Sequence, residues 1–437
     1  MAKKTKAADL SIEEKLEQAL VVPGYEPYKI PDNWCWTNLK TVCNLDNGIK
    51  HNNESLVYFD AKTLREITEP VSRNSGVIVE KGQKVILVDG ENSGEVFVIP
   101  DRGYMGSTFR ILNISKQFDE MYIRYFIDIF REELKKNKIG SAIPHLNKEL
   151  FYGLQFPLPP LPEQQRIVER IESLFSKLDE AKEKAQEVIN SFETRKAAIL
   201  HKAFSGELTA KWREENGVGI ESWERKRISE CCKLGSGGTP SRKKPNYYIG
   251  DIPWIKTGEI NWNTVNYSEE SITQEAIDNS SAKVYAPGAV LVAMYGMGIT
   301  RGKAAILGIE AATNQAVCVL QPKEYLFNRY LYFFFMCNYW DIREQAVGGN
   351  QLNLSATIIG KLNIDIPNLE EQYVITELLD SIIEKEYQTK QIAESIIDQI
   401  ETMKKAILAR AFRGELGTND PEEESAVELL KQILTGE

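Results

Sequence analysis

The residues of this chain best suited to chemistry sit in glycine-punctuated, donor-rich loops, not in a set of nucleophile and base. The most distinctive is Gly235-Ser236-Gly237-Gly238-Thr239-Pro240-Ser241-Arg242-Lys243-Lys244. Glycine permits close backbone approach, and the hydroxyls of Ser236, Thr239 and Ser241 with the cations Arg242, Lys243 and Lys244 are donors that suit phosphates and base edges. The competing reading is a solvated turn. A strand entering a loop at 251–259 brings Lys256 and Thr257, the stretch 293–303 offers Tyr295, Thr300 and Arg301, and Gly348-Gly349-Asn350-Gln351 sets the amides Asn350 and Gln351 beside glycines, suited to base-edge readout. The first half carries counterparts: Lys50, Asn52 and Asn53 within 47–53, Asn92 and Ser93 within 90–94, and Lys136, Lys138, Ser141 and His145 within 136–145. Singly each is a plain loop. Three polar loops at matching places in both halves predict a shared binding edge.

A catalytic reading fails on the residues. There is no G-x-x-x-x-G-K-[ST], no G-x-G-x-x-G, no N-P-P-Y/F or D-P-P-Y, and no H-E-x-x-H. None of the three histidines, His51, His145 and His201, stands beside a nucleophile, and His201 becomes Ala409 in an internal repeat. Six cysteines without C-x-x-C or zinc-spaced histidines indicate reduced thiols, with neither disulfides nor a metal site. No cofactor is expected in this chain.

The net charge of −10 argues against a nucleic-acid partner, but its distribution reverses that inference. Residues 31–160 hold 16 basic and 17 acidic side chains and 221–367 hold 15 and 14, whereas 368–437 hold 7 against 16. The two globular regions are near neutral and can carry local basic faces, with other subunits supplying further phosphate contacts. MAKKTKAADL lacks the apolar core of a secretory signal, and the apolar run Tyr330–Trp340 is too short to span a bilayer, so a soluble cytoplasmic protein is expected.

Two long helices must position these loops. Ile167, Ile171, Leu174, Leu178, Ala181, Ala185, Val188 and Phe192 recur at steps of four and three, the seam of a coiled coil. The segment returns 208 residues later, where Ile375, Leu379, Ile382, Ala393, Ile396, Ile400, Met403 and Ile407 follow the pattern except at Glu386 and Thr389, which leave the central register open. Pro162 and an Asn368/Glu371 cap mark the starts, and Gly206 and Gly414 the left-handed ends. Each helix spans about 60 Å, and its seam needs a partner, the nearest being its own copy. The globular regions repeat more weakly: Trp34 aligns with Trp223, Arg124-Tyr125 with Arg329-Tyr330, and His145-Leu146-Asn147 with Asn353-Leu354-Ser355.

The expected fold is therefore α+β: two globular α/β domains separated by two long antiparallel helices that form an intramolecular coiled coil with pseudo-two-fold symmetry. The expected boundaries are an arm with a short helix capped by Ser11 and Glu14 (1–30), a first domain (31–160) with a helix over Glu120–Lys136, a helix (161–206), a linker (207–220), a second domain (221–367), a second helix (368–413) and an acidic tail with a short helix (414–437).

Taken together, SGGTPSRK at 236–243, GDIPWIKTGEI at 250–260, TNQAVCVL at 313–320, FPLPPLPEQQRIV at 156–168, the recurring AIL-x-x-AF-x-GEL and the tail PEEESAVELLKQIL give a chain that resembles, over essentially its whole length, the specificity (S) subunit of type I restriction–modification systems. The resemblance implies two target-recognition domains, each reading half of a bipartite double-stranded DNA sequence in adjacent major grooves. It also implies two modification subunits that bind S-adenosylmethionine and methylate adenine, and restriction subunits that use ATP and Mg; those cofactors belong to the partners. The first domain departs from the GGTPS and DIPW pattern, which implies dissimilar half-sites and an asymmetric target. Two other readings are a recognition subunit of a combined methyltransferase–endonuclease and a coiled-coil scaffold without DNA specificity.

Overall fold

The computed structural model describes residues 11–140, 144–296, 298–346 and 353–435, with Asn53 described by its backbone alone. The chain forms two compact units, Met1–Ala185 with Ser395–Glu437, and Gln186–Glu394. Each unit thus holds one globular region and portions of both long helices.

In the first unit Ser11 caps the helix Ile12–Ala19: its hydroxyl accepts from Glu14 N at 3.2 Å, and Glu14 Oε2 accepts from Ser11 N at 2.8 Å. An antiparallel sheet orders Cys43–Asp46, Phe109–Ile114, Lys84–Leu87 and Val96–Val98. Beside it Lys50–Phe59, Val71–Val79 and Gly103–Met105 pair into a closed three-stranded ring. The helix expected over Glu120–Lys136 is two, Glu120–Ile129 and Arg131–Lys136, because at Phe130 the backbone turns to φ −86°, ψ 1° and its N–H bonds to Ile127 O.

The second unit repeats this plan with a five-stranded sheet, Cys232–Ser236, Val317–Pro322, Val290–Ala293, Ala304–Leu307 and Thr264–Val265, flanked by a four-stranded one containing Ile252–Ile255 and Ala311–Thr313. The apolar run near residue 330 forms the helix Asn328–Cys337, with Tyr330–Phe335 buried. The stretch read as a linker holds a helix, Ala210–Asn216, whose Arg213 is buried.

The long helices are Leu161–Phe204 and Leu369–Ala411. Their ends are absorbed by globular cores: Ile167, Ile171, Leu408 and Phe412 join the first core, and Leu200, Ala203, Ile375 and Leu379 the second. Phe412 packs on Tyr122 and Phe126 at 4.7 and 5.4 Å, and Phe204 on Tyr330 and Phe334 at 5.0 and 6.1 Å. Burying a ring of this size stabilises by about 2–3 kcal/mol. The hydroxyl of Tyr122 donates to Pro157 O and that of Tyr330 to Asp365 O, so the repeat pairs Tyr122, not Tyr125, with Tyr330. Gly206 and Gly414 close the two helices at φ +80° and +72°.

Within the first unit the helices pair antiparallel through Lys182–Glu401 and Asp179–Lys404; within the second, through Arg195–Glu386 and the ring contact of Phe192 with Tyr387. Ile167, Ile171, Phe192, Ile375, Leu379 and Ile400 are buried, and Leu174, Leu178, Val188, Ile382 and Ile407 half-buried. Three seam positions depart from expectation: Ala181 is exposed, Ile396 is 38% and Met403 48% exposed. The inward line passes instead through Ile383, Glu386, Lys390, Ala393 and Ile397, at steps of three and four that place the polar Glu386 and Lys390 in the seam. The second helix is capped by Asn368 alone, whose Oδ1 accepts from Glu371 N at 2.9 Å. Glu371 instead takes Thr209 Oγ1, Arg213 Nη1 and Trp223 Nε1, at 2.7, 2.7 and 2.9 Å.

Candidate nucleic-acid interface

Strand register decides which of the loops meet. In the second unit Ser236 lies opposite Cys318, Ala293 opposite Val317 and Ile255 opposite Thr313. Asn314 N donates to Ile255 O at 2.9 Å, Met294 N to Ala316 O at 2.8 Å and Leu354 N to Met294 O at 3.0 Å. The loops after Ser236, Ile255 and Ala293 and the segment at Asn353–Leu354 therefore leave from one end of the sheets. This end brings together Ser236, Thr239, Lys256, Thr257 and Tyr295. Asn350 and Gln351 lie outside the described residues, as does Ser141 of the first unit.

The glycines of 235–238 are required by the domain's own packing. A Cβ at Gly237 would lie 1.9 Å from Thr313 O, and one at Gly238 2.4 Å from Ala282 N. Trp254 Nε1 donates to Gly238 O at 3.0 Å and Tyr248 Oη to Pro240 O at 2.6 Å, which fixes the loop path. On that path Ser236, Thr239, Ser241, Arg242, Lys243 and Lys244 are exposed. Thr239 is hydrogen-bonded to Gln315, and Lys244 Nζ to Tyr247 Oη at 2.7 Å. Arg242 pairs with Glu270 at 2.7 Å and lies 4.0 Å over Tyr248, while Lys256 bonds Glu269 and Glu270 at 2.9 and 3.0 Å. The hydrogen bond from Arg242 is the main cause holding the Glu270 carboxyl below its usual range.

Residues 298–301 are held by Tyr339 and Arg343 of the helix Tyr339–Glu344. Arg343 donates to Arg301 O and Gly298 O, each at 2.6 Å, and Tyr339 to Ile299 O. Tyr295 is 39% exposed, whereas Thr300 and Arg301 are half-buried.

The first unit builds the same end. Asp46 lies opposite Ile111 and Leu87 opposite Phe109; Gly106 N donates to Phe59 O and Leu146 N to Val88 O. The candidate residues here divide into two groups. Lys50 and Asn52 are exposed on the ring strand that follows Gly48. Asn92, Lys138 and His145 gather at the 90–94 turn, where Lys138 Nζ bonds Glu91 at 2.7 Å and His145 Nδ1 meets Asp89 at 2.7 Å; Lys136 is exposed nearby in sequence. Ser93 is a correction: it is fully buried, and its hydroxyl closes the turn by donating to Gly90 O at 2.6 Å, so it cannot face a ligand. Sequence reading missed Arg73, Arg110 and Tyr58, which line a concavity with Lys50. Only the polar run Ser72-Arg73-Asn74-Ser75 hinted at them.

Among the described residues no cluster of His, Cys, Asp or Glu could hold a metal, and no helix is long and apolar enough to cross a membrane. Burial pushes the Cys35, Cys43 and Cys318 thiols up to about 12, which removes them as nucleophiles.

Comparison with known proteins agrees with this geometry. Residues 31–191 and 220–401 each match the type I restriction modification DNA specificity domain. The chain is 26% identical over 363 residues to the type I restriction enzyme MjaVIII specificity subunit of Methanocaldococcus jannaschii, covering 78% of this chain and 81% of that protein. It is 20% identical over 467 residues to the EcoKI specificity subunit of Escherichia coli, covering 93% and 96%. In fold it is similar to the crystal structure of the HsdS subunit from Thermoanaerobacter tengcongensis, with TM-score 0.61, 20% identity and coverage of 89% and 99%. A chain from a structure addressing assembly and conformational transition of the type I R-M system gives TM-score 0.69, again at 20% identity, with coverage of 89% and 100%. Matched in both of its repeats, the chain belongs to the type I restriction–modification DNA specificity family.

Proposed function

We propose that this chain is the non-catalytic subunit that selects the DNA sequence on which methylating and cleaving partner subunits act. Residues 31–160 and 221–367 each read one half of a bipartite target, and the helices at 161–206 and 368–413 set the gap and carry the docking surfaces for two adenine-methylating modification subunits and for restriction subunits. S-adenosylmethionine, ATP and Mg act in those partners. The observation that carries this reading is that both units end their sheets alike yet present different side chains: Lys50, Arg73 and Arg110 in one, Thr239, Arg242, Lys256 and Tyr295 in the other. Like scaffolds with unlike loops suit an asymmetric pair of half-sites. A scaffold without DNA specificity gives no account of these loops, and the family match disfavours it.

The test is reconstitution with the modification subunits, followed by methylation mapping on random duplex DNA. Two short unlike sequences at a fixed gap are expected; methylation without sequence preference would sink the proposal.

A further inference from the structure

At the mouth of the three-stranded ring in the first unit lies a concavity of about 460 Å³. Lys50, Arg73 and Arg110 line it, with Asn47, Ser75 and Ser107 as further polar groups, and no carboxylate is among its lining residues. Arg73 stacks 3.4 Å from the Tyr58 ring centroid, which fixes the plane of its guanidinium. Arg110 is held by its Nη1, which donates to Phe109 O at 2.6 Å and Ser107 O at 3.2 Å, while its buried Nε has no hydrogen-bond partner. Lys50 and Arg73 form no ion pair among the described residues. The floor must stay small: a Cβ at Gly76 would meet Tyr104 at 2.8 Å, and one at Gly106 would lie 3.3 Å from Tyr58 Oη.

Three cations around one small volume repel one another, and what relieves that repulsion is an anion. The second unit differs, since its Arg242 and Lys256 are already matched by Glu269 and Glu270. We propose that the first unit's concavity holds a phosphodiester group of the DNA backbone and so registers this domain on its half-site. A guanine edge would engage one planar fork, whereas converging cations with hydroxyls suit a tetrahedral oxyanion. The inference rests on the DNA-reading function proposed above.

The experiment uses the full chain with its modification subunits, as wild type, as Lys50→Gln/Arg73→Gln and as Ser75→Asp. All three positions are exposed, and thermal melting confirms the fold of each variant. Affinity for target and unrelated duplexes is measured across salt concentrations, and methylation is mapped. The double variant is expected to weaken both duplexes alike, on the order of tenfold per contact, and to reduce the slope of log affinity against log salt by about 0.9 per phosphate contact. Ser75→Asp, which sets a carboxylate in the concavity, is expected to weaken binding similarly, and the methylated sequence should not change. Unchanged affinity and slope would remove the anion site, and a changed base in the half-site would make this a base-reading pocket. Failure of the underlying function shows separately, as a wild-type complex without sequence-dependent methylation.

Discussion

Arg242 lies between two aromatic rings and a carboxylate, 4.0 Å over Tyr248, 5.1 Å from the Trp254 centroid and 2.7 Å from Glu270. Glu270 also binds Lys256, so one carboxylate restrains two of the cations proposed to meet DNA. Because the Glu270 carboxyl is held below its usual range, it stays charged down through the ordinary carboxylate range, and the pairing is lost only as pH falls through the depressed value. Glu270→Gln should therefore raise duplex affinity without regard to sequence and steepen its salt dependence. Replacing Arg242, Lys243 and Lys244 together by alanine should weaken binding, but by less than three free charges would. Fluorescence anisotropy on target and random duplexes measures both variants; an unaltered affinity for Glu270→Gln would show that the pairing does not restrain binding. The residue types of this loop were legible from sequence. The restraint was not, because Glu269 and Glu270 come from a distant segment that meets Arg242 only through strand pairing between Ile252–Ile255 and Ser271–Ile272. Ser93 was misread for a related reason: a serine between glycines suits a ligand or its own turn equally, and the bond to Gly90 O chooses the turn.

Along the helices, apolar spacing located the seam where its residues enter the cores, and it failed at Ile396 and Met403, where charged residues share the inward line. The Lys390 ammonium lies 5.0 Å from the Phe192 ring centroid and that of Lys404 5.0 Å from the Phe175 centroid, so each charged end rests over an aromatic face beside the seam. Glu386, which interrupts the apolar count, sits in the inward line opposite Arg195, with side-chain exposures of 22% and 34%. Partly desolvated pairs of this kind contribute little net stability, yet removing one partner leaves an unmatched charge. Arg195→Leu or Glu386→Leu alone should cost about 1–3 kcal/mol, and the double variant should match or exceed the wild type in thermal unfolding. A double variant as unstable as either single one would show that the pair itself holds this stretch together.

For the whole molecule, the 208-residue repeat announced two like units joined by long helices, but spacing alone did not reveal that each globular core takes in the start of one helix and the end of the other. That arrangement governs how the proposed spacer can be altered. Four residues inserted beside Lys182 lengthen the first helix by about 6 Å and rotate it about 40° beyond a full turn. Made alone, the insertion displaces the seam against a second helix that has not grown, so pairs such as Lys182–Glu401 lose register and stability should fall. Matched by four residues inserted beside Glu401, the seam regains its register, and both cores keep their own helix ends. The matched variant should then methylate the same two half-sequences with a gap about two base pairs longer, since one base pair spans about 3.4 Å. Methylation mapping of the two variants decides the matter. If the recognised bases change while the gap stays fixed, the helices take part in reading the sequence and do not merely space the domains that read it.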